Sequence, residues 1–101
     1  ICEYIRAHFS DPDLSLDMIA AEFDVSVNTV CRTVKQRLGK TFREYLIALR
    51  LEEARRLLGV PENTASAVCA AVGYTNLSYF IRSFKDYFGV TPSEYRQSAA
   101  H

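Results

Sequence analysis

Cysteine is scarce and poorly spaced for cross-linking. Cys2, Cys31 and Cys69 are three in number, an odd count without a C-x-x-C pair. That pattern fits reduced thiols in a cytosolic setting and argues against a disulfide framework. Three scattered cysteines with the distant His8 and His101 also offer too few ligands for a zinc site, so no metal or other cofactor is expected. Neither histidine is placed to activate Cys31, so no nucleophile pair forms and no enzyme is expected. The chain also lacks any apolar run near the roughly 20 residues that span a bilayer, and no signal-peptide pattern opens it. No membrane contact is expected. Because the chain does not begin with Met, Ile1 is expected to start a piece of a longer protein. Sustained strand alternation is missing throughout.

Net charge is missing too. Twelve bases balance twelve acids in 101 residues, which at face value counts against nucleic acid as a partner. The distribution reverses that reading. Residues 1–24 hold only Arg6 against six acids (Glu3, Asp11, Asp13, Asp17, Glu22 and Asp24), whereas the other eleven bases share residues 25–101 with six acids. Such asymmetry points to a basic working surface beside an acidic region. An apolar content of 49% marks a globular chain, and its length allows one domain or two small subdomains sharing an element.

What the chain does have is a repeat. Arg32, Lys35, Leu38, Gly39, Thr41, Glu44 and Tyr45 return 50 residues later as Arg82, Lys85, Phe88, Gly89, Thr91, Glu94 and Tyr95. A fixed period of this kind governs the fold. Apolar spacing and cap residues predict an all-α domain of about seven helices. Ile1, Ile5 and Phe9 mark the first, ending at Ser10–Asp13. Leu16, Ile19, Ala20 and Phe23 mark the second, with Ser15 as its N-cap. After a break at Asp24-Val25, Ser26 caps a third that stops at Gly39. Thr41 and Glu44 form a capping box opening the longest helix, which Gly59 and Pro61 close. Thr64 caps a short helix containing Val68 and Val72. Thr75 or Asn76 then starts a helix with Phe80, Phe84 and Phe88 on one side. Thr91 to Glu94 is a second capping box, with Pro92 at the first helical position.

Each half thus holds a short helix, a tight turn and a longer helix, a helix-turn-helix pattern whose second helix can enter the major groove. With Asn28 at zero, Arg32 falls near ~40° and Lys35 near ~−20°, opposite Val27, Val30 and Val34. The second unit repeats this with Ser78, Arg82 and Lys85 opposite Phe80 and Phe84. Cys31 and Ile81 take matching flanking positions. A single polar stripe is usually only a solvated helix face, but a solvated face has no reason to put Arg and Lys at matching positions twice. Arg32 and Arg82 are therefore candidates for guanine edges, Asn28 for adenine, and Leu77 or Ile81 for a thymine methyl, with Lys35 and Lys85 on phosphates. The helix ends at Ser26 and Thr75 offer free backbone N–H groups to phosphate. The competing class is a helical protein-interaction module without DNA readout, whose mark would be an exposed apolar patch.

Several stretches carry a family resemblance: Ala71–Tyr74, Ser78-Tyr79-Phe80 with Arg82, Phe84 and Lys85, and Gly89–Arg96. Together with Gly39–Phe42, Tyr45-Leu46 and Arg50–Leu58, they make residues 1–96 resemble the DNA-binding domain of the AraC/XylS family of bacterial transcription regulators. The resemblance implies two helix-turn-helix subdomains (1–39 and 62–97) joined by a linker helix (41–58), with recognition helices in successive major-groove segments. It implies double-stranded promoter DNA as partner, RNA polymerase as a further one, and an effector or sensor domain in the absent N-terminal part. It also implies a bacterial cytoplasmic, nucleoid-associated location. Thr29, Thr33 and Val34 stand where the family usually has larger residues, and their β-branching lowers helix propensity.

Overall fold

The computed structural model describes residues 1–99. His101, considered above as a ligand or base, lies outside them. Among the described residues there are seven helices and no strand: α1 (Cys2–His8), α2 (Leu16–Phe23), α3 (Val27–Leu38), α4 (Phe42–Leu58), α5 (Ala65–Ala71), α6 (Leu77–Phe88) and α7 (Pro92–Ala99). α7 therefore runs past the boundary drawn at residue 97.

The helices begin where a side-chain oxygen can take an orphan amide. Ser15, Ser26 and Thr64 accept from Met18, Thr29 and Ala67, three residues on in each case. Thr41 and Glu44 close their capping box with bonds of 2.9 and 3.1 Å, and Thr91 and Glu94 repeat both distances. At α6 the cap is Asn76 rather than Thr75, its Oδ1 accepting from Tyr79 N at 2.9 Å. Val72, expected inside the short helix, is instead the buried residue that ends α5. Between α2 and α3 the chain turns through Asp24 at φ 54°, ψ 48°. Asp tolerates this left-handed conformation better than most residues.

Two cores result. Ile5, Leu14, Ile19, Ala20, Val30, Val34 and Leu46 fill the first. Leu51, Ala54, Leu58, Val68, Cys69, Val72, Tyr74, Phe80 and Phe84 fill the second. α4 serves both, through different sides. With Phe42 at zero on a helical wheel, Tyr45, Leu46 and Leu49 lie between about −60° and 40°, while Leu51, Ala54 and Leu58 lie between about 120° and 180°. The molecule measures 47 × 23 × 21 Å, a rod with one helix-turn-helix unit toward each end of α4.

Candidate nucleic-acid interface

Each recognition helix is seated by its apolar side. Val30 and Val34 of α3 and Phe80 and Phe84 of α6 are all 0% exposed. The phenylalanines belong to an aromatic stack, with Phe84 at 4.6 Å from Phe88 and 6.1 Å from both Phe80 and Tyr95 between ring centroids. The opposite sides face outward. Asn28, Arg32 and Lys35 on α3 and Ser78, Arg82 and Lys85 on α6 are exposed, and so is Leu77, which opens α6 at the position matching Val27 and stands beside the stripe rather than in it. Cys31 and Ile81 are half-buried, and Ile81 packs against the second core, so the two flanking positions stand lower than the polar stripes. Lys35 Nζ reaches back to Gly39 O at 3.3 Å, a contact at its own helix end that an approaching phosphate can displace. The free helix end expected at Thr75 is one residue further on, at Asn76. There and at Ser26 the cap occupies one orphan amide and leaves the rest of the first turn for an anion.

Not every base is available to a ligand. Arg55 and Arg56 pair with Glu52 and Glu53 one turn earlier on α4. Arg96 donates to the carbonyls of Leu58 and Asn63, tying α7 to the end of α4. Arg50 donates to Phe9 O at 2.8 Å and to Asp11 O at 2.9 Å, in the turn between α1 and α2. Burial lowers the pKa of Arg50, with Tyr74 and Asp11 opposing, yet guanidinium starts high enough to stay charged.

The helical stripes omit one basic group that the fold adds. Arg43 Nη2 donates to the Tyr79 hydroxyl at 3.0 Å, bridging α4 and α6. The two side chains line an open groove of about 350 Å³ with Ile47, Arg82, Ser83, Asp86 and Tyr87. Arg43 and Arg82 thus share one concavity. Nothing in the periodicity of α6 pointed to Arg43, because the pairing is made between helices. The groove also holds Asp86, a carboxylate one turn beyond Arg82 that tempers the local positive field.

The thiols follow their surroundings. Cys69 is buried, its Sγ 3.6 Å from Tyr74 O, and burial pushes its pKa up, as expected of a packing residue. Cys2 and Cys31 are half-buried and free.

Comparison with known proteins converges on one family. A family model described as a helix-turn-helix domain matches residues 19–98. The transcriptional activator RhaS of Escherichia coli is 32% identical over 94 residues, covering 93% of this chain and 34% of the relative. The chain therefore spans about a third of the length of the curated relatives it matches. Among solved structures, the C-terminal domain of AraT, a response regulator from Geobacillus stearothermophilus, superposes with a TM-score of 0.90 at 37% identity, covering 96% of this chain and 80% of that one. The DNA-binding domain of the global transcriptional factor AdpA, solved with a target DNA, has a TM-score of 0.87 at 22% identity and covers 95% of this chain and 86% of that one, a likeness of fold. These relatives are regulators, not enzymes, and the two solved ones share this fold over 95% or more of the chain: the chain belongs to the AraC/XylS family of bacterial transcription regulators, as a helix-turn-helix DNA-binding domain.

Proposed function

We propose that this domain binds one asymmetric stretch of promoter DNA as a monomer, with α3 and α6 in successive segments of the major groove. The observation that carries the reading is the duplicated cation stripe: Arg32 and Lys35 recur as Arg82 and Lys85, exposed in both helices and opposite fully buried anchors. A 47 Å rod is long enough to span two groove segments about 34 Å apart. Arg32 and Arg82 are assigned to guanine edges, where the guanidinium fork matches O6 and N7. Asn28 is assigned to adenine, and Leu77 and Ile81 to thymine methyls. Ser78 serves either edge or backbone, Lys35 and Lys85 take phosphates, and Cys31 lies beside Arg32 at the groove wall.

RNA polymerase and an effector or sensor domain are proposed as further partners. Support comes from α2 and the turn after it, where Met18, Phe23 and Val25 are 38%, 41% and 37% exposed among Asp17, Glu22 and Asp24. An apolar patch rimmed by acids suits a protein surface better than DNA. The same patch is what a protein-interaction module would show, so contact with protein and contact with DNA are assigned to different faces. The working location proposed is the bacterial cytoplasm, on nucleoid DNA.

Selection of bound sequences from a random DNA pool, followed by footprinting, tests this reading. One non-palindromic site protected by a monomer is expected. A short symmetric site occupied only by dimers refutes it, as does failure to outcompete unrelated DNA.

A further inference from the structure

Arg50 does more than fill space in the linker helix. α1 ends at His8 with Phe9 as its C-cap, a position whose carbonyl has no successor amide within the helix to meet it. Arg50, 41 residues away, donates Nε to that carbonyl and Nη2 to Asp11 O two residues later. A cation at a helix C-terminus is also favoured by the helix dipole. The Cζ of the same guanidinium lies over the Tyr74 ring, 5.8 Å from its centroid. Tyr74 follows Gly73, and both are buried in the turn joining α5 to α6. Gly73 has φ +100°, and a Cβ there would stand 3.0 Å from Arg50 Nε, Phe9 O and Ser10 O alike. Only a glycine permits this approach. The turn of the second helix-turn-helix therefore rests directly on the α1–α2 turn of the first, with Arg50 between them.

We propose that Arg50 is a positioning residue that fixes the distance and angle between the two recognition helices, so that the domain selects DNA by half-site spacing as well as by base sequence. This rests on the two-helix docking proposed above. α4 alone holds the halves in series, but a single rod allows bending and rotation where it meets each core. Arg50, between Tyr74 and the carbonyls of Phe9 and Asp11, adds a second, non-collinear link, and two links define an orientation. A fixed orientation makes the second docking event effectively intramolecular at one spacing and penalises others. A loosened one spreads the second helix over many positions and must be ordered on binding.

The test compares the wild type, Arg50→Lys, Arg50→Gln and Arg50→Ala on the selected site, on spacer variants one to three base pairs longer or shorter, and on each half-site alone. Circular dichroism and thermal melts establish that each variant is folded. For Arg50→Ala the half-site affinities are expected to stay within about twofold of wild type. Binding at the native spacing should weaken about tenfold, and the preference for that spacing should flatten, because the effective concentration of the second helix falls. Arg50→Lys, with a point charge in place of the fork, should be intermediate. An unchanged spacing profile in a folded variant overturns the proposal, and so does a parallel loss on half-sites and full site. If Arg50→Ala does not fold, Arg50→Lys and Arg50→Gln are judged by the same profile.

A second measurement needs no DNA. Spin labels at exposed Gln36 and Asp86, with Cys2, Cys31 and Cys69 replaced, report the distance distribution between α3 and α6. It should broaden on loss of Arg50, and an unchanged width refutes the clamp. A broadened distribution with a wild type indifferent to half-site spacing would instead show that the clamp exists and that the two-helix docking does not.

Discussion

Salt should weaken DNA binding steeply although the chain is formally neutral, and the structure sets the slope. Eleven bases follow Val25. Arg50 and Arg96 spend their donors on backbone carbonyls, and Arg55 and Arg56 are paired with glutamates. That leaves Arg32, Lys35, Arg37, Lys40, Arg43, Arg82 and Lys85, all exposed. Five phosphates are neutralised if Arg32 and Arg82 meet only bases, and seven if both also reach the backbone, so at about −0.9 per phosphate log K should fall against log salt with a slope of roughly −4.5 to −6.3. Between 50 and 200 mM salt the affinity then drops roughly 500- to 6,000-fold. Fluorescence anisotropy on a labelled operator at five or six salt concentrations measures this directly. Single variants sharpen it. Lys85→Ala should make the slope less negative by about 1, whereas Arg55→Ala should leave it where it was. A slope near zero, or an Arg55→Ala shift as large as that of Lys85→Ala, would refute the assignment of which cations meet the backbone.

The two halves should contribute unequally. Phe80 and Phe84 hold α6 with more buried area than Val30 and Val34 give α3, so Arg82→Ala should cost more affinity than Arg32→Ala, each within about 1–3 kcal/mol; the reverse order on the selected site at one salt concentration defeats the anchoring argument. Phe84→Ala should destabilise by about 3–5 kcal/mol, against about 5–15 kcal/mol for a domain of this size, leaving a marginal fold whose urea midpoint shows the loss. Glu44 and Glu94 are held below the ordinary carboxylate value of 4.5, chiefly by the backbone amides of Thr41 and Thr91. Depressed values mean that these caps stabilise fully above about pH 4.5 and lose their effect as pH falls through the folded values. The difference in melting temperature between wild type and Glu44→Ala/Glu94→Ala should therefore narrow below that pH, and a gap constant down to pH 3 contradicts it.

Helix ends were readable in the sequence because each depends on one local side chain. Ser15, Ser26, Thr41, Thr64 and Thr91 cap as their types and spacings dictate. Thr75 and Asn76 are both good caps, and only the three-dimensional turn after Gly73 decides for Asn76. The outward residues Asn28, Arg32, Lys35, Ser78, Arg82 and Lys85 follow from a period of 3.6. Cys31 and Ile81 sit at the edge of the apolar arc, where a wheel cannot say which side a residue leans toward. Phe23 reads as a core residue of α2 but is 41% exposed, its ring meeting that of Tyr4 edge-on with centroids 5.6 Å apart. Arg50 and Arg43 were hidden for another reason. Their partners lie in other helices, and a charged residue on a long helix looks the same in sequence whether it turns to solvent or to a carbonyl.

The linker helix hides one more property. Because Leu46 belongs to one core and Leu51, Ala54 and Leu58 to the other, on different sides of one rod, neither half can open without baring a side of α4 that the other half needs straight. The domain is thus divisible by function but not by cooperativity. Fragments cut at either end of α4 would each carry a wetted leucine strip and would associate rather than fold cleanly. In the intact chain, the backbone amides at residues 46–54 should be the last to exchange with deuterium, released only when both cores open together.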